Sequence, residues 1–108
     1  MKEVFFLNKY NIEYSKEAKQ DLVDIKRYIK YNLQEPNIAK KLITKIKTEI
    51  DKLIEAPKIY SIIDDDFIKK LQIRKIIVDN YIVFYRINNK TIQIVRILYG
   101  RINWINLL

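Results

Sequence analysis

The stretch LQIRKIIVDNYIVFYRINNKTIQIVRILYGR, residues 71–101, decides the fold of this chain. It contains three runs rich in β-branched and aromatic residues, which are typical of β-strands: 71–79, 81–88 and 91–98. Asp79-Asn80 and Asn88-Asn89-Lys90 separate these runs with residues that favour tight turns. The pattern predicts a three-stranded antiparallel meander. Because apolar residues occupy both faces of the strands, we expect the sheet to be partly covered on both sides.

Upstream of this stretch, the sequence predicts a short strand at 9–14 and two amphipathic helices. Ser15 is placed to cap a helix that runs to about Leu33, and Pro36 suits the first turn of a second helix that ends near Ala56. The expected core positions recur every three or four residues: Ala18, Leu22, Ile25 and Ile29, then Ile38, Leu42, Ile46, Ile50 and Leu53. We therefore expect one α+β domain over residues 1–108. It has an N-terminal strand, an antiparallel helical hairpin and the meander, with the helices packed on one sheet.

The charge of the chain is high and unevenly distributed. There are 21 basic and 13 acidic residues, which gives a net charge of +8. Residues 67–108 hold eight of the basic residues and one acidic residue, whereas residues 1–66 are nearly neutral. Such an asymmetry indicates a polyanionic partner, which is a nucleic acid, a ribonucleoprotein or an acidic protein. The alternative is a basic protein with no such partner.

Composition excludes several kinds of site. The chain has no Cys and no His, so it has no disulfide, no thiolate zinc site and no cysteine or histidine catalyst. Three adjacent aspartates at 64–66 cannot all face one ion, so they predict a solvated turn, and we expect neither a metal nor a cofactor. We also expect a cytoplasmic protein without membrane contact, because no apolar run approaches about 20 residues and no signal peptide is evident.

Three arginines fall on neighbouring predicted strands. The turn at 79–80 places Arg74 opposite Tyr85 or Arg86, and the next turn places Arg96 opposite Ile82 or Val83. One interpretation is a phosphate-contacting surface, because guanidinium groups bind phosphate oxygens in pairs. The other is structural: Arg86 and Arg96 pair with helix acids such as Asp21, Asp24, Glu49 or Asp51, while the tyrosines are core residues. The sequence leaves both interpretations open.

The chain also resembles a known superfamily. The opening IEYSKEA at 12–18, the blocks LQIRK at 71–75 and NYIVFYR at 80–86, and the block VRILYGR at 95–101 follow one another in the order and spacing of the RelE/ParE superfamily. These proteins are the toxins of type II toxin–antitoxin modules. The resemblance starts at about residue 10, so residues 1–9 are expected to be an extension. It implies the same α+β fold and a cognate antitoxin as partner.

The superfamily divides into two branches, and the resemblance implies different site residues for each. In the RelE-like branch, which cleaves mRNA on the ribosome, the catalytic candidates are Arg86, Tyr99 and Arg101. Candidates for binding phosphate or the target are Arg74, Lys75 and Arg96. Departures from the ribonuclease pattern at Ile82, Tyr99 and Ile102 place the chain closer to the ParE-like branch, which poisons DNA gyrase. The alternatives are an mRNA interferase and a non-toxic basic module that binds nucleic acid.

Overall fold

The computed structural model describes residues 10–108, so the predicted extension at 1–9 lies outside the described residues. The main elements are β1 (Asn11–Tyr14), α1 (Lys16–Arg27), a π-helical turn (Tyr28–Asn32), α2 (Pro36–Asp51), β2 (Arg74–Val78), β3 (Tyr81–Asn88) and β4 (Thr91–Tyr99). Short 3₁₀ turns lie at Lys52–Ile54, Lys69–Leu71 and Ile105–Leu107. This order confirms the predicted α+β class, with a strand, a helical hairpin and a meander.

The four strands form one open sheet in the order β1-β4-β3-β2. β2, β3 and β4 pair antiparallel, as predicted, and β1 pairs with β4 in parallel. The sheet is therefore mixed rather than wholly antiparallel. The parallel pairing arises because the helical hairpin crosses one face of the sheet between β1 and the meander, as a parallel connection requires.

The hairpin joining β2 to β3 has the expected register. Arg74 pairs with Tyr85, which is one of the two predicted partners. Asp79 in this turn and Asn89 in the next turn both have positive φ angles, of 53° and 56°. Asn and Asp tolerate that conformation better than other residues with a Cβ atom, so these two positions explain why the turns form there.

The predicted register of Arg96 is wrong. Arg96 pairs with Phe84 rather than with Ile82 or Val83. The reason is a β-bulge: Tyr85 pairs with Ile94 and Phe84 with Arg96, which leaves Val95 as an extra residue on β4. Past the bulge, every partner on β4 is displaced by one residue.

Ser15 caps α1, as predicted, and also holds the bulge. Its hydroxyl accepts a hydrogen bond from the Ala18 N–H and donates one to the carbonyl of Val95, at 2.9 and 2.8 Å. The start of the helix is thus tied to the bulged part of β4. No helix in the described part of the chain is both long and apolar enough to span a membrane.

Apolar side chains cover both faces of the sheet, which confirms that expectation. The helix-facing core contains the buried side chains of α1 and α2 packed on Ile76, Val83, Tyr85 and Ile94. On the outer face, a smaller cluster of Ile73, Ile82, Phe84 and Leu98 lies under Trp104 and Leu108 of the C-terminal tail. The Phe84 and Trp104 rings lie 4.9 Å apart, so this tail is anchored on the sheet.

Candidate functional site

A groove opens between the helical hairpin and the far end of β3 and β4. Its volume is about 850 Å³, and most of its lining is apolar. Its walls come from α1, the π-helical turn, the start of α2 and the residues that follow β4. Six large apolar side chains line it and are also exposed: Tyr28, Leu33, Ile38, Tyr99, Ile102 and Leu107.

The exposure of this lining is unusual for a small domain. Six of the eleven large exposed apolar side chains in residues 10–108 belong to this one groove. Single exposed apolar residues are normal, but a contiguous set marks a surface that binds another molecule. Ile38, which the helical pattern assigns to the core, is 54% exposed here. The groove is therefore a candidate protein-binding surface.

Two tyrosines from neighbouring strands form part of the groove lining. The rings of Tyr81 and Tyr99 meet edge to face, with centroids 5.6 Å apart. Burial raises the pKa of the Tyr81 hydroxyl, and the nearby Tyr28 and Tyr99 raise it further. The Tyr81 hydroxyl is consequently neutral at physiological pH. The pair presents aromatic surface, and the Tyr81 hydroxyl can donate a hydrogen bond.

Asp21 and Arg96 form a paired charge in the groove wall. Two guanidinium nitrogens of Arg96 donate to the two carboxylate oxygens of Asp21, each at 2.8 Å. The buried carboxylate also accepts the N–H of Ile97 at 2.9 Å. The hydrogen bond from Arg96 to Asp21 is the main reason that the pKa of Arg96 is raised. The structural alternative for Arg96, pairing with a helix acid, is therefore what the geometry shows, and its role in binding a target stays a prediction.

Arg86 and Lys75 lie on the outer face of the sheet, away from the groove. Arg86 is two residues beyond Phe84 on β3, so it shares the face of the outer cluster, and it donates to the side-chain oxygen of Gln93 at 2.8 Å. The ammonium of Lys75 lies 5.8 Å from the centre of the Trp104 ring. Both side chains are exposed and bear positive charge toward solvent.

Arg74 is used to hold a loop. Its guanidinium donates to the main-chain carbonyls of Tyr60 and Lys58, which belong to the segment that leads from α2 to β2. Arg101 is exposed and follows the end of β4. Thus Arg74 and Arg96 are each engaged in contacts within the fold, with a loop and with Asp21 respectively.

Two of the three catalytic candidates, Arg86 and Tyr99, do not come together. Tyr99 pairs with Tyr81 at the start of β3, whereas Arg86 lies five residues farther along that strand. Five residues correspond to about 17 Å, and an odd separation places two side chains on opposite faces of a sheet. Because Arg86 and Tyr99 differ in both end and face, they cannot contact one phosphate in this arrangement.

The aspartates at 64–66 form a turn at the surface. The carboxylate of Asp65 accepts the N–H of Phe67 at 2.8 Å, and Asp64 pairs with Lys69 at 3.3 Å. In the described part of the chain, no group of three or more His, Cys, Asp or Glu residues is arranged to hold a metal ion.

Comparison with known proteins assigns this chain to a family. The model of the family described as ParE toxin of type II toxin-antitoxin system, parDE, matches residues 12–104. No curated protein matches the chain. A solved structure of the chromosomal ParDE TA system from P. aeruginosa is similar with a TM-score of 0.70 and 19% identity, over 85% of this chain and 97% of that one.

A second solved structure has the same fold. In the toxin-antitoxin complex RelBE2 from Mycobacterium tuberculosis, the matching chain has a TM-score of 0.57 and 17% identity, over 84% of this chain and 98% of that one. At these identities the two structures establish the fold alone. The family match, by contrast, covers most of the chain and confirms the ParE-like resemblance. The chain therefore belongs to the ParE toxin family and is the toxin of a type II toxin–antitoxin system.

Proposed function

We propose that this protein stops bacterial growth by binding and poisoning DNA gyrase. The separation of Arg86 from Tyr99 is the observation that carries this proposal. A ribonuclease needs its phosphate-binding and proton-transferring groups around one phosphate, within hydrogen-bond reach. An inhibitor that acts by binding a protein needs only an accessible surface. Membership in the ParE family, whose superfamily branch is the one without a catalytic set, supports the same choice.

We further propose that a cognate antitoxin neutralises the toxin by laying an apolar segment into the groove. The groove presents exposed aliphatic and aromatic side chains, which an amphipathic helix or strand can cover. The net charge of +8 favours an acidic partner and speeds its encounter. One of the similar solved structures is a toxin-antitoxin complex, which is consistent with a two-protein module.

The experiment that tests the gyrase proposal is pulse labelling after induction in a bacterium without the antitoxin. Thymidine and amino-acid incorporation are followed side by side over the first minutes. We expect thymidine incorporation to fall first, because gyrase poisoning blocks replication. Early loss of amino-acid incorporation instead would assign the protein to the mRNA interferases. If growth and both incorporation rates stay normal, the remaining alternative is a non-toxic basic module that binds nucleic acid.

A further inference from the structure

Four lysines lie on one flank of α1 and of the π-helical turn that follows it, and we term them the lysine stripe: Lys16, Lys19 and Lys26 of α1, and Lys30 of the turn. At 3.6 residues per turn, Lys16, Lys19 and Lys26 fall within an arc of about 80°, and Lys30 follows four residues later in the π-helical turn. The centre of this arc lies at least about 120° around the helix from Asp21, Asp24 and Ile25, which are the residues of α1 that line the groove. The stripe and the groove are therefore separate surfaces of the same hairpin.

The lysine stripe has no internal partner of opposite charge in the described part of the chain. All four side chains are exposed, and no salt bridge there includes any of them. The ammonium of Lys30 lies 5.2 Å from the centre of the Tyr31 ring, which leaves its charge uncompensated. Glu17, Asp21 and Asp24 of the same helix lie outside the arc of the stripe.

The like charges within the lysine stripe repel one another. Lys16 and Lys19 are three residues apart and Lys26 and Lys30 four, and like charges at these spacings repel one another. Lys16 is also the first residue of α1, where the helix dipole disfavours a cation. The dipole favours Lys26, which lies in the last turn of α1. No carboxylate of the described residues pairs with any of the four lysines, so their charge is available to an external polyanion.

The chemistry of the stripe favours phosphate over an acidic protein. Lysine is depleted at protein–protein interfaces, which are rich in aromatic residues, Met and Arg, whereas lysine is a common phosphate ligand. The stripe extends for about 21 Å, and a DNA strand offers one phosphate per 3.4 Å of axis, so four contacts fit along one backbone. We infer that the lysine stripe binds the phosphate backbone of DNA without sequence preference. The choice of DNA rests on the proposed function, because gyrase holds a DNA duplex.

The test measures binding of the full chain to a fluorescein-labelled 30-base-pair duplex by anisotropy, at several salt concentrations and without gyrase. For four phosphate contacts, a plot of log affinity against log salt should have a slope of about −3.6 or steeper. This corresponds to a roughly 150-fold loss of affinity between 50 and 200 mM salt. In a variant with all four stripe lysines changed to Gln, the slope should become less steep by about 3.6. The matched control changes four other exposed lysines to Gln and removes the same charge: Lys40, Lys41, Lys47 and Lys58.

We expect the control to change the slope by less than about 1, and both variants to melt at or above the wild-type temperature. Equal losses in the two variants would overturn the inference, because net charge alone would then explain the binding. So would competition by polyglutamate as strong as that by DNA of equal charge, since the stripe would then fit an acidic protein.

The outcome is separable from that of the proposed function. A chain that stops thymidine incorporation but does not bind DNA through the stripe would overturn the inference and leave the gyrase proposal standing. A chain that binds DNA through the stripe but leaves thymidine incorporation intact would overturn the gyrase proposal and leave the inference about the stripe standing.

Discussion

The substitution Asp21→Asn tests the paired charge that joins α1 to β4. It keeps the shape of the side chain but removes its negative charge. Arg96, whose side chain is 21% exposed, would then lose its counter-ion, and one of its two hydrogen bonds to Asp21 would lose its acceptor. Breaking a buried ion pair by changing one partner costs about 3–5 kcal/mol. Because Arg96 keeps some contact with water and Asn can still accept one hydrogen bond, we expect about 3 kcal/mol.

This loss is large relative to the stability of a small domain, which is about 5–15 kcal/mol. With a urea dependence of about 1.5 kcal/mol per M, the midpoint of unfolding should fall by about 2 M. The assay is urea denaturation followed by circular dichroism and fluorescence. Asp24→Asn is the matched control, since Asp24 is exposed on the same helix and, among residues 10–108, accepts a side-chain hydrogen bond from Gln20 alone. We expect that control to change stability by less than about 0.5 kcal/mol.

The double variant Asp21→Asn/Arg96→Gln completes the test. If the two side chains stabilise the fold mainly through each other, the double variant should be less destabilised than the sum of the single ones, by about 1–3 kcal/mol. A midpoint shift for Asp21→Asn no larger than that of Asp24→Asn would refute the reasoning. So would strict additivity of the two single variants.

Three further predictions follow from the geometry. Replacing Arg86 by Ala or Tyr99 by Phe should leave growth inhibition within a fewfold of wild type in an induction assay, whereas complete loss of toxicity with retained folding would contradict a non-enzymatic toxin. Burial raises the pKa of Tyr85 to about 12, so wild-type stability should hold up to about pH 10, the unfolded value, and fall as the pH rises toward 12; Tyr85→Phe should show less of this fall in melts at each pH. Ile38→Lys in the groove should abolish rescue by the co-expressed antitoxin and leave the melting temperature nearly unchanged. Ile59→Lys, at a more exposed position outside the groove, should be rescued normally.

Local signals in the sequence were sufficient for the elements and for part of the register. Asp79 and Asn89 adopt the positive φ angles that their turns require, and the apolar runs on either side become paired strands. Ser15 caps the first helix because its hydroxyl satisfies an N–H of the first turn. These features depend on residues within a few positions of each other, so a single sequence carries them.

The bulge on β4 is the opposite case. Val95 has the same apolar, β-branched character as its neighbours, so nothing local distinguishes it. Its carbonyl is held by the hydroxyl of Ser15, 80 residues earlier in the chain. The partner of Arg96, Asp21, is likewise 75 residues away. Contacts at this distance depend on how β1 and α1 lie against β4, and periodicity does not specify that.

The groove could not be predicted from the sequence either, for a related reason. Helical spacing identifies Ile38 as sharing a face with Leu42 and Ile46, but not how far the neighbouring layer extends beneath that face. Leu42 and Ile46 are buried, whereas Ile38 overhangs the groove at the open end of the hairpin. A face that looks like core in the sequence thus becomes, at one end, a surface open to a partner. The strands predicted from the sequence place the candidate ribonuclease residues next to one another along neighbouring strands. They do not specify on which face or at which end of the sheet each side chain lies.

The most direct test of the central claim uses purified gyrase. The purified toxin is added to gyrase, ATP and relaxed plasmid, and supercoiling and DNA cleavage are followed on agarose gels, with and without the antitoxin. We expect the toxin to block supercoiling and to cause cleaved DNA bound to gyrase to accumulate. Prior addition of the antitoxin should prevent both effects. Normal supercoiling with no cleaved DNA, at toxin concentrations well above that of gyrase, would contradict the central claim.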